Sequence, residues 1–340
     1  MADSLLEVRD LKVHFPTEDG LVKAVDGLSF SLAPGETLGV VGESGSGKSV
    51  TFLTVMGLIN RTTARVEGEV LFRGRNLLDL PAEEMRHVRG EGIGMVFQDP
   101  MTSLHPMYRV GDQIVEAIQA HREVSRQDAM NQAVEMLRVV GIALPEDRAR
   151  QYPHEFSGGM RQRAVIAMAL TLQPSLLIAD EPTTALDVTV QAQILELIEH
   201  LKQEFNIGVV LITHDLGVVA DVSQSMMVMY AGRGIEIGSR PQVFSEPLHP
   251  YTWGLFESIP RIDRKGDKLI PIEGMPPSLI RLPSGCAFHP RCPHRFEPCD
   301  NEVPALVDRG GGHPDACLLP IEQKKRLWAQ REARREWATT

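Results

Sequence analysis

Residues 37–49 read Thr37-Leu38-Gly39-Val40-Val41-Gly42-Glu43-Ser44-Gly45-Ser46-Gly47-Lys48-Ser49, and this stretch decides the fold. The first five residues form a compact apolar run, the pattern of a strand covered on both faces. The next eight match the phosphate-loop pattern, which requires a strand directly before it. Gly42, Gly45 and Gly47, with Ser44 between them, let backbone N–H groups turn inward around phosphate oxygens. Lys48 would neutralise the β- and γ-phosphates, and the Ser49 hydroxyl would reach a Mg²⁺ ion. A helix beginning here adds its positive end to the same anion site. From average residue usage, a chance match in a chain this long is roughly a one-in-a-hundred event.

Two further apolar runs follow. Leu176 to Ala179 ends on the acidic pair Asp180-Glu181, and Ile207 to Thr213 ends at His214. Between them Val190, Ile194, Leu197, Ile198, Leu201 and Phe205 recur at the spacing of one helical face. Strand, helix, strand is a βαβ unit, so an α/β domain with a parallel sheet is expected. Three strands ending near Val41, Ala179 and Thr213 would deliver phosphate-competent residues to one edge, where open α/β sheets bind ligands. There Asp180 can hold Mg²⁺, Glu181 can orient or deprotonate a water, and His214 joins them. Ser157-Gly158-Gly159-Met160 opens another helical run. Its N–H groups suit an anion, and Ser157 equally suits an ordinary helix cap.

Toward the N-terminus, Leu5 to Phe15 and Leu28 to Leu32 read as short strands around a turn at Glu18-Asp19-Gly20. Helical patches at Val110 to His121 and Gln127 to Val140 predict a helical insertion over about residues 99–155. From Pro241 onward prolines multiply, which predicts a loop-rich second region. The division expected is 1–245 for the nucleotide-binding unit and 246–340 for a C-terminal domain.

A net charge of −10 argues against general affinity for nucleic acid, whose binders carry a basic surface. No apolar run approaches the roughly 18–20 residues of a membrane-spanning helix. The opening Met1-Ala2-Asp3-Ser4 lacks the features of a signal peptide, so a cytosolic chain is expected. The four cysteines, Cys286, Cys292, Cys299 and Cys317, all fall in the last quarter. In a reducing compartment such a cluster suggests a metal site, an iron–sulfur cluster or tetrahedral zinc, against four unrelated thiols. The basic stretch with Lys324, Lys325, Arg326, Arg331, Arg334 and Arg335 is diluted by Glu322, Glu332 and Glu336, and reads as a solvated tail rather than a membrane contact.

In their order, these pieces resemble the nucleotide-binding domain of ABC transporters over about residues 5–245. Gly42 to Ser49 matches Walker A, Gln98 in Val96-Phe97-Gln98-Asp99-Pro100 the Q-loop, and Ser157-Gly158-Gly159-Met160 the signature. Asp180-Glu181 closes Walker B, Ala185-Leu186-Asp187 matches the D-loop, and His214 the switch histidine. Met160 departs from the glutamine of many members. The wordings Phe97-Gln98-Asp99-Pro100-Met101-Thr102-Ser103-Leu104, Tyr152-Pro153-His154-Glu155-Phe156-Ser157 and His249-Pro250-Tyr251-Thr252 resemble the oligopeptide and dipeptide importer ATPases, as does the cysteine-bearing tail. Gly159-Met160-Arg161-Gln162-Arg163 with Ala167-Met168-Ala169-Leu170 is similar to the first of two paired ATPase subunits.

The resemblance implies a P-loop ABC-type α/β fold with an antiparallel β subdomain, a helical insertion and a small loop-rich C-terminal domain. It implies an ATPase motor that couples ATP hydrolysis to uptake of oligopeptides or dipeptides, or of nickel, glutathione or another small solute. Phe15 would stack on adenine. Gln98 would sense the γ-phosphate and join Ser49 and Asp180 around Mg²⁺, and Glu181 and His214 would act on the water. Ser157, Gly158, Gly159 and Asp187 would complete the ATP site of a second subunit in a head-to-tail sandwich. The implied partners are a related second ATPase (a homodimer being the alternative), two integral-membrane permease subunits and, indirectly, an extracytoplasmic substrate-binding protein. This would place the chain peripherally on the cytoplasmic face of the inner membrane. The likeness also tips the four cysteines towards a structural [4Fe–4S] cluster. A nucleic-acid or ribosome ABC ATPase would carry tandem domains or long coiled coils, and a P-loop kinase would need neither signature nor D-loop.

Overall fold

The computed structural model describes residues 4–99, 103–184, 186–258 and 270–337. Met1 to Asp3, Pro100 to Thr102 of the Q-loop wording and Ala185 of the D-loop lie outside the described residues, as do the side chains of Arg334 and Arg335.

Strands β1 (Leu6–Thr17) and β2 (Gly20–Leu32) form a hairpin in which Phe15 faces Val22 across the pair. The turn is fixed by the Thr17 hydroxyl donating to the Gly20 carbonyl at 2.7 Å. β1 also pairs with β4 (Arg65–Phe72), which carries the short β5 (Arg75–Asn76), giving an antiparallel sheet in the order β2-β1-β4-β5. Polar and apolar residues alternate in the second half of β2, as expected for a sheet with one wet face.

The second sheet sets the site. β3 (Thr37–Val41), β6 (Ile93–Val96), β7 (Leu176–Asp180), β8 (Gly208–Ile212), β9 (Ser225–Tyr230) and β10 (Arg233–Ser239) lie in the order β10-β9-β3-β8-β7-β6. All neighbours are parallel except β9 and β10. Every residue of β3, β6, β7 and β8 is buried, which is why these strands read as unbroken apolar runs. Each buried Leu, Ile or Val side chain contributes about 1.5–3 kcal/mol.

Helix α1 (Lys48–Val55) leaves the end of β3 directly. In the insertion, α2 (Val110–Gln119) packs with α3 (Arg126–Val139) and α4 (Gly158–Leu170), sharing a core with Leu177, Leu211 and α5 (Val188–Phe205). Start and stop signals are local. Ser125 caps α3 by accepting from the Asp128 N–H, and Asn206 ends α5 in the left-handed region. Helix α6 (Leu216–Val222) follows β8, with Asp215 as its cap.

Beyond β10 the chain winds back over the sheet edge. Helix α7 (Pro250–Glu257) and a run of short turns pack against β9 and β10 around Tyr230, Tyr251 and Phe288. The Ala316 N–H donates to the Ile235 carbonyl and the Ile237 N–H to the Pro314 carbonyl, so the tail clips onto β10. The last helix, α8 (Ile321–Trp337), corrects the expectation of a solvated tail. Lys324 and Trp328 are buried, Trp328 donates its indole N–H to the Ser245 carbonyl, and Arg331 pairs with Glu257 at 2.6 Å. Its charges serve as docking contacts, a use that composition alone does not show.

Candidate functional site

β3 ends at Val41, and the chain turns through Gly42 and Gly47 under close quarters. A Cβ at Gly42 would come within 2.2 Å of the Met229 carbonyl oxygen, and one at Gly47 within 2.3 Å of that of Ala24. Gly47 also takes φ 102° as the residue before α1, a conformation that L side chains avoid. Only glycine fits at these two places. Ala24 lies on β2, so Phe15 on the facing strand stands close by in the hairpin, half-buried against the core.

Lys48 is buried, and its ammonium donates to the carbonyls of Gly42 (2.7 Å) and Glu43 (3.1 Å). Burial lowers its pKa, opposed by Glu181, Asp180 and Glu43. The Ser49 side chain hydrogen-bonds Asp180 at the end of β7. Burial pushes the Asp180 carboxyl up, an effect the Ser49 bond opposes. Oδ1 of Asp180 is buried with no hydrogen-bond partner. A buried, unpaired carboxylate oxygen beside a serine hydroxyl is a donor set that suits Mg²⁺, a hard cation bound through oxygen.

Glu181 follows at φ 46°, a left-handed conformation costing of order 1–3 kcal/mol in a non-glycine residue. Its carboxylate is enclosed by three side chains. Gln98 Nε2 donates to Oε2 at 3.0 Å, the Thr184 hydroxyl donates to the same oxygen at 2.9 Å, and His214 Nδ1 lies 3.3 Å from Oε1. Burial raises the Glu181 pKa, but the Thr184 and His214 contacts outweigh it and hold the group below its ordinary value. Glu181 therefore stays an anion at neutral pH, able to accept a proton. The structure thus brings Lys48, Ser49, Gln98, Asp180, Glu181 and His214 together, from the ends of β3, β6, β7 and β8.

Ser157, Gly158, Gly159 and Asp187 form a separate group. Ser157 is exposed and caps α4, accepting from the Met160 N–H at 3.3 Å. Asp187 caps α5 by accepting from the Val190 N–H at 3.0 Å. A Cβ at Gly159 would meet Val190 at 2.8 Å and one at Gly158 would meet Leu186 at 3.5 Å, so the two loops pack on each other. Ser157 is thus a helix cap, and the start of its helix is open to solvent.

Three residues that the sequence reading left without a role also reach the site. Thr184 holds Glu181 as described, while Tyr251 and Arg291 reach the phosphate loop at Glu43. Thr184 lies three residues past Glu181, so proximity could have found it. Tyr251 and Arg291 are more than 200 residues away in sequence and carry no such signal.

The chain is similar to known proteins along most of its length. Residues 25–184 match the family described as ABC transporter, and residues 235–299 match the oligopeptide/dipeptide transporter C-terminal region. The oligopeptide transport ATP-binding protein OppD of Salmonella typhimurium is 53% identical over 322 residues, covering 95% of this chain and 96% of its own. The dipeptide transport ATP-binding protein DppD of Bacillus subtilis is 51% identical over 318 residues, covering 93% and 95%. Among solved structures, the ATP-binding cassette MJ0796, dimeric in a post-hydrolysis state with ADP and Pi, superposes with a TM-score of 0.62 at 27% identity, covering 69% of this chain and 98% of that one. The protein cbiO1 of Clostridium perfringens, part of the ABC transporter complex cbiONQ, gives 0.62 at 28% identity, covering 72% and 92%.

These likenesses correct the expectation of a [4Fe–4S] cluster at Cys286, Cys292, Cys299 and Cys317. The matched family and relatives are plain ABC ATPases, without an iron–sulfur group. The thiols have another use here. All four line one small cavity with His249 and Phe288, and they pack as small apolar side chains around the aromatic cluster of the tail. Burial pushes Cys286 up, Cys292 to about 11 and Cys317 to about 12. Among the described residues no three of the four Sγ atoms lie within 4.8 Å of one another.

Proposed function

This chain belongs to the ABC transporter ATP-binding subunits, in their oligopeptide and dipeptide branch, and from that premise we propose how its residues divide the work. It is the ATP-hydrolysing motor of a peptide transporter and acts through a membrane permease partner. Among the described residues no helix is long and apolar enough to cross a membrane. Attachment through the permease, on the cytoplasmic face, accounts for a membrane role without one.

The observation that carries the assignment is the convergence of Lys48, Asp180, Glu181, Gln98 and His214 at one edge of a parallel sheet. ATP takes its phosphates on Gly42, Ser44, Gly45, Gly47 and Lys48, and Phe15 receives the adenine. Ser49, Asp180 and Gln98 would hold Mg²⁺, which neutralises charge on the β- and γ-phosphates. Lys48 exchanges its loop carbonyls for phosphate oxygens. Glu181, kept anionic by Thr184 and His214, accepts the proton of the attacking water, and His214 steadies water and γ-phosphate. Ser157, Gly158, Gly159 and Asp187 face outward on this chain. They complete the ATP site of a second, related ATPase subunit, and two such sandwiched subunits drive two permease subunits. Cargo arrives on an extracytoplasmic binding protein. Residues 1–245 form the nucleotide-binding domain, about 99–155 the helical part that docks on the permease, and 246–340 a C-terminal domain.

Glu181→Gln tests the reading. ATP binding is retained, hydrolysis falls by about 10²–10⁴-fold, and ATP traps an associated form visible by size-exclusion chromatography. Hydrolysis at the parent rate would remove Glu181 from the role of base.

A further inference from the structure

The phosphate loop is gripped from outside its own domain. Arg291 lies in the tail, 248 residues after Glu43, yet it makes a two-pronged pair with the Glu43 carboxylate, at 2.7 Å through Nη1 and 3.0 Å through Nη2. Its other contacts are the Tyr230 hydroxyl at 3.3 Å and the carbonyls of Glu273 (3.0 Å) and Ile272 (3.3 Å). That gives a partner for each of the five N–H groups of a guanidinium. The side chain is 5% exposed, and its charged end lies 5.9 Å from the centre of the Tyr230 ring. The fork fixes where Glu43 stands and in which direction.

A second tail residue holds the same loop residue by its backbone. Tyr251, fully buried on α7, accepts the Glu43 N–H at 2.9 Å through its hydroxyl. Its ring packs on Tyr230 and Phe288 at centroid distances of 4.6 and 5.4 Å. Glu43 in turn supplies one of the two carbonyls on which the Lys48 ammonium rests, and its carbonyl also accepts the Ser46 N–H at 3.2 Å. A shift of Glu43 therefore displaces both the lysine and the turn that must wrap the phosphates.

We propose that Arg291 and Tyr251 are positioning residues for ATP: through Glu43 they hold the phosphate loop in its binding shape, so that the C-terminal region sets the affinity of the nucleotide site. This rests on the assignment of ATP to Gly42–Ser49. Neither residue touches the reacting atoms, so the effect falls on nucleotide binding and leaves the chemical step alone. Arg291 cannot be exchanged for lysine without loss, because an ammonium has three donors and no planar fork.

The experiment uses the full chain and reads binding of a fluorescent ATP analogue, KM and kcat for hydrolysis, and thermal unfolding without nucleotide. Arg291→Met is expected to raise KM and the analogue Kd about tenfold with kcat within twofold, and Arg291→Lys to fall between it and the parent. Tyr251→Phe, which keeps the ring and loses the hydroxyl, is expected to raise KM two- to threefold with unchanged unfolding, so the test survives if Arg291→Met folds poorly. Glu43→Gln combined with Arg291→Met should be no worse than the more severe single change. Unchanged KM in both Arg291→Met and Tyr251→Phe, additive effects in the double variant, or a loss confined to kcat would each overturn the proposal. Lys48→Ala separates this from the underlying assignment. If it abolishes analogue binding while the tail variants do nothing, only the brace fails; if it binds as the parent does, the ATP site itself is misplaced.

Discussion

The two halves of the molecule are held together by different physics. The sheet from β3 to β8 is built of strands buried on both faces, with Leu38, Val40, Ile178, Val210 and Ile212 at 0–1% exposure. The tail has few such runs and is assembled around buried charges. Glu236 on β10 is fully buried and receives the N–H groups of Leu248 (2.6 Å) and His249 (3.0 Å) and the Thr252 hydroxyl (2.6 Å), with His313 at 2.8 Å. Asp315 pairs with the fully buried Lys324 and, at 2.7 Å, with Arg309. Apolar packing tolerates exchange among similar side chains, while a buried ionic hub fails when one partner is lost. The core should therefore be robust in fold and sensitive in chemistry, and the tail the reverse.

The largest effect expected is chemical and lies in the core. Lys48→Ala should cut ATP hydrolysis by about 10²–10³-fold, with little change in the denaturant midpoint of the nucleotide-free chain; a matching collapse of stability would erase the contrast. Next comes the tail. Lys324→Met leaves Asp315 buried with one partner fewer and should cost about 3 kcal/mol in chemical denaturation, at the lower end for a broken buried pair because Arg309 remains. A loss below about 1 kcal/mol would mean that the tail is held by packing after all.

A smaller effect depends on pH. His249 is buried, and its Nδ1 accepts the Tyr251 N–H at 3.0 Å. Burial, reinforced by Lys324, lowers its pKa to about 3 from 6.5. Between those values the unfolded chain binds a proton that the folded chain refuses, so this contribution is fully present above about pH 6.5 and is lost as pH falls towards 3. Unfolding followed from pH 6.5 to 5.5 should lose roughly 1 kcal/mol, and His249→Gln should flatten that slope. The smallest effect concerns the thiols. With Cys292 pushed to about 11 and Cys317 to about 12, both should resist a water-soluble disulfide reagent at pH 8 until the chain unfolds. Prompt reaction of all four in the folded chain would show a looser tail than the one described.

The same contrast governs what could be read in advance. β3, β7, β8 and α5 were legible because burial imposes a short-range period, and the phosphate loop because its glycines face hard steric limits at Gly42 and Gly47. Asp180, Glu181 and His214 were found by standing at strand ends. The tail offered no period. Its hub joins Glu236 to His313 across 77 residues, and the grip on the loop joins Glu43 to Arg291 across 248. The cysteine spacing suggested a metal because composition cannot distinguish ligands from small apolar fillers. Only the aromatic packing around the thiols, and the kinship with plain ABC ATPases, separates the two. The docking of helix α8 escaped for a similar reason, since Lys324 and Arg331 look like any solvated cations until their partners are seen.

The sheet order has a consequence for the life of the chain on the ribosome. β3 lies between β8 and β9, so both of its neighbours come from residues 208–230, and Arg291 is later still. The phosphate loop is among the earliest segments to emerge and among the last to acquire its surroundings. At about 5–20 residues per second, the 242 residues from Ser49 to Arg291 (291 − 49) take roughly ten to fifty seconds to synthesise. Throughout that interval the glycine-rich turn lacks part of its surroundings, and the Arg291 contact to Glu43 closes only when nearly the whole protein has been made.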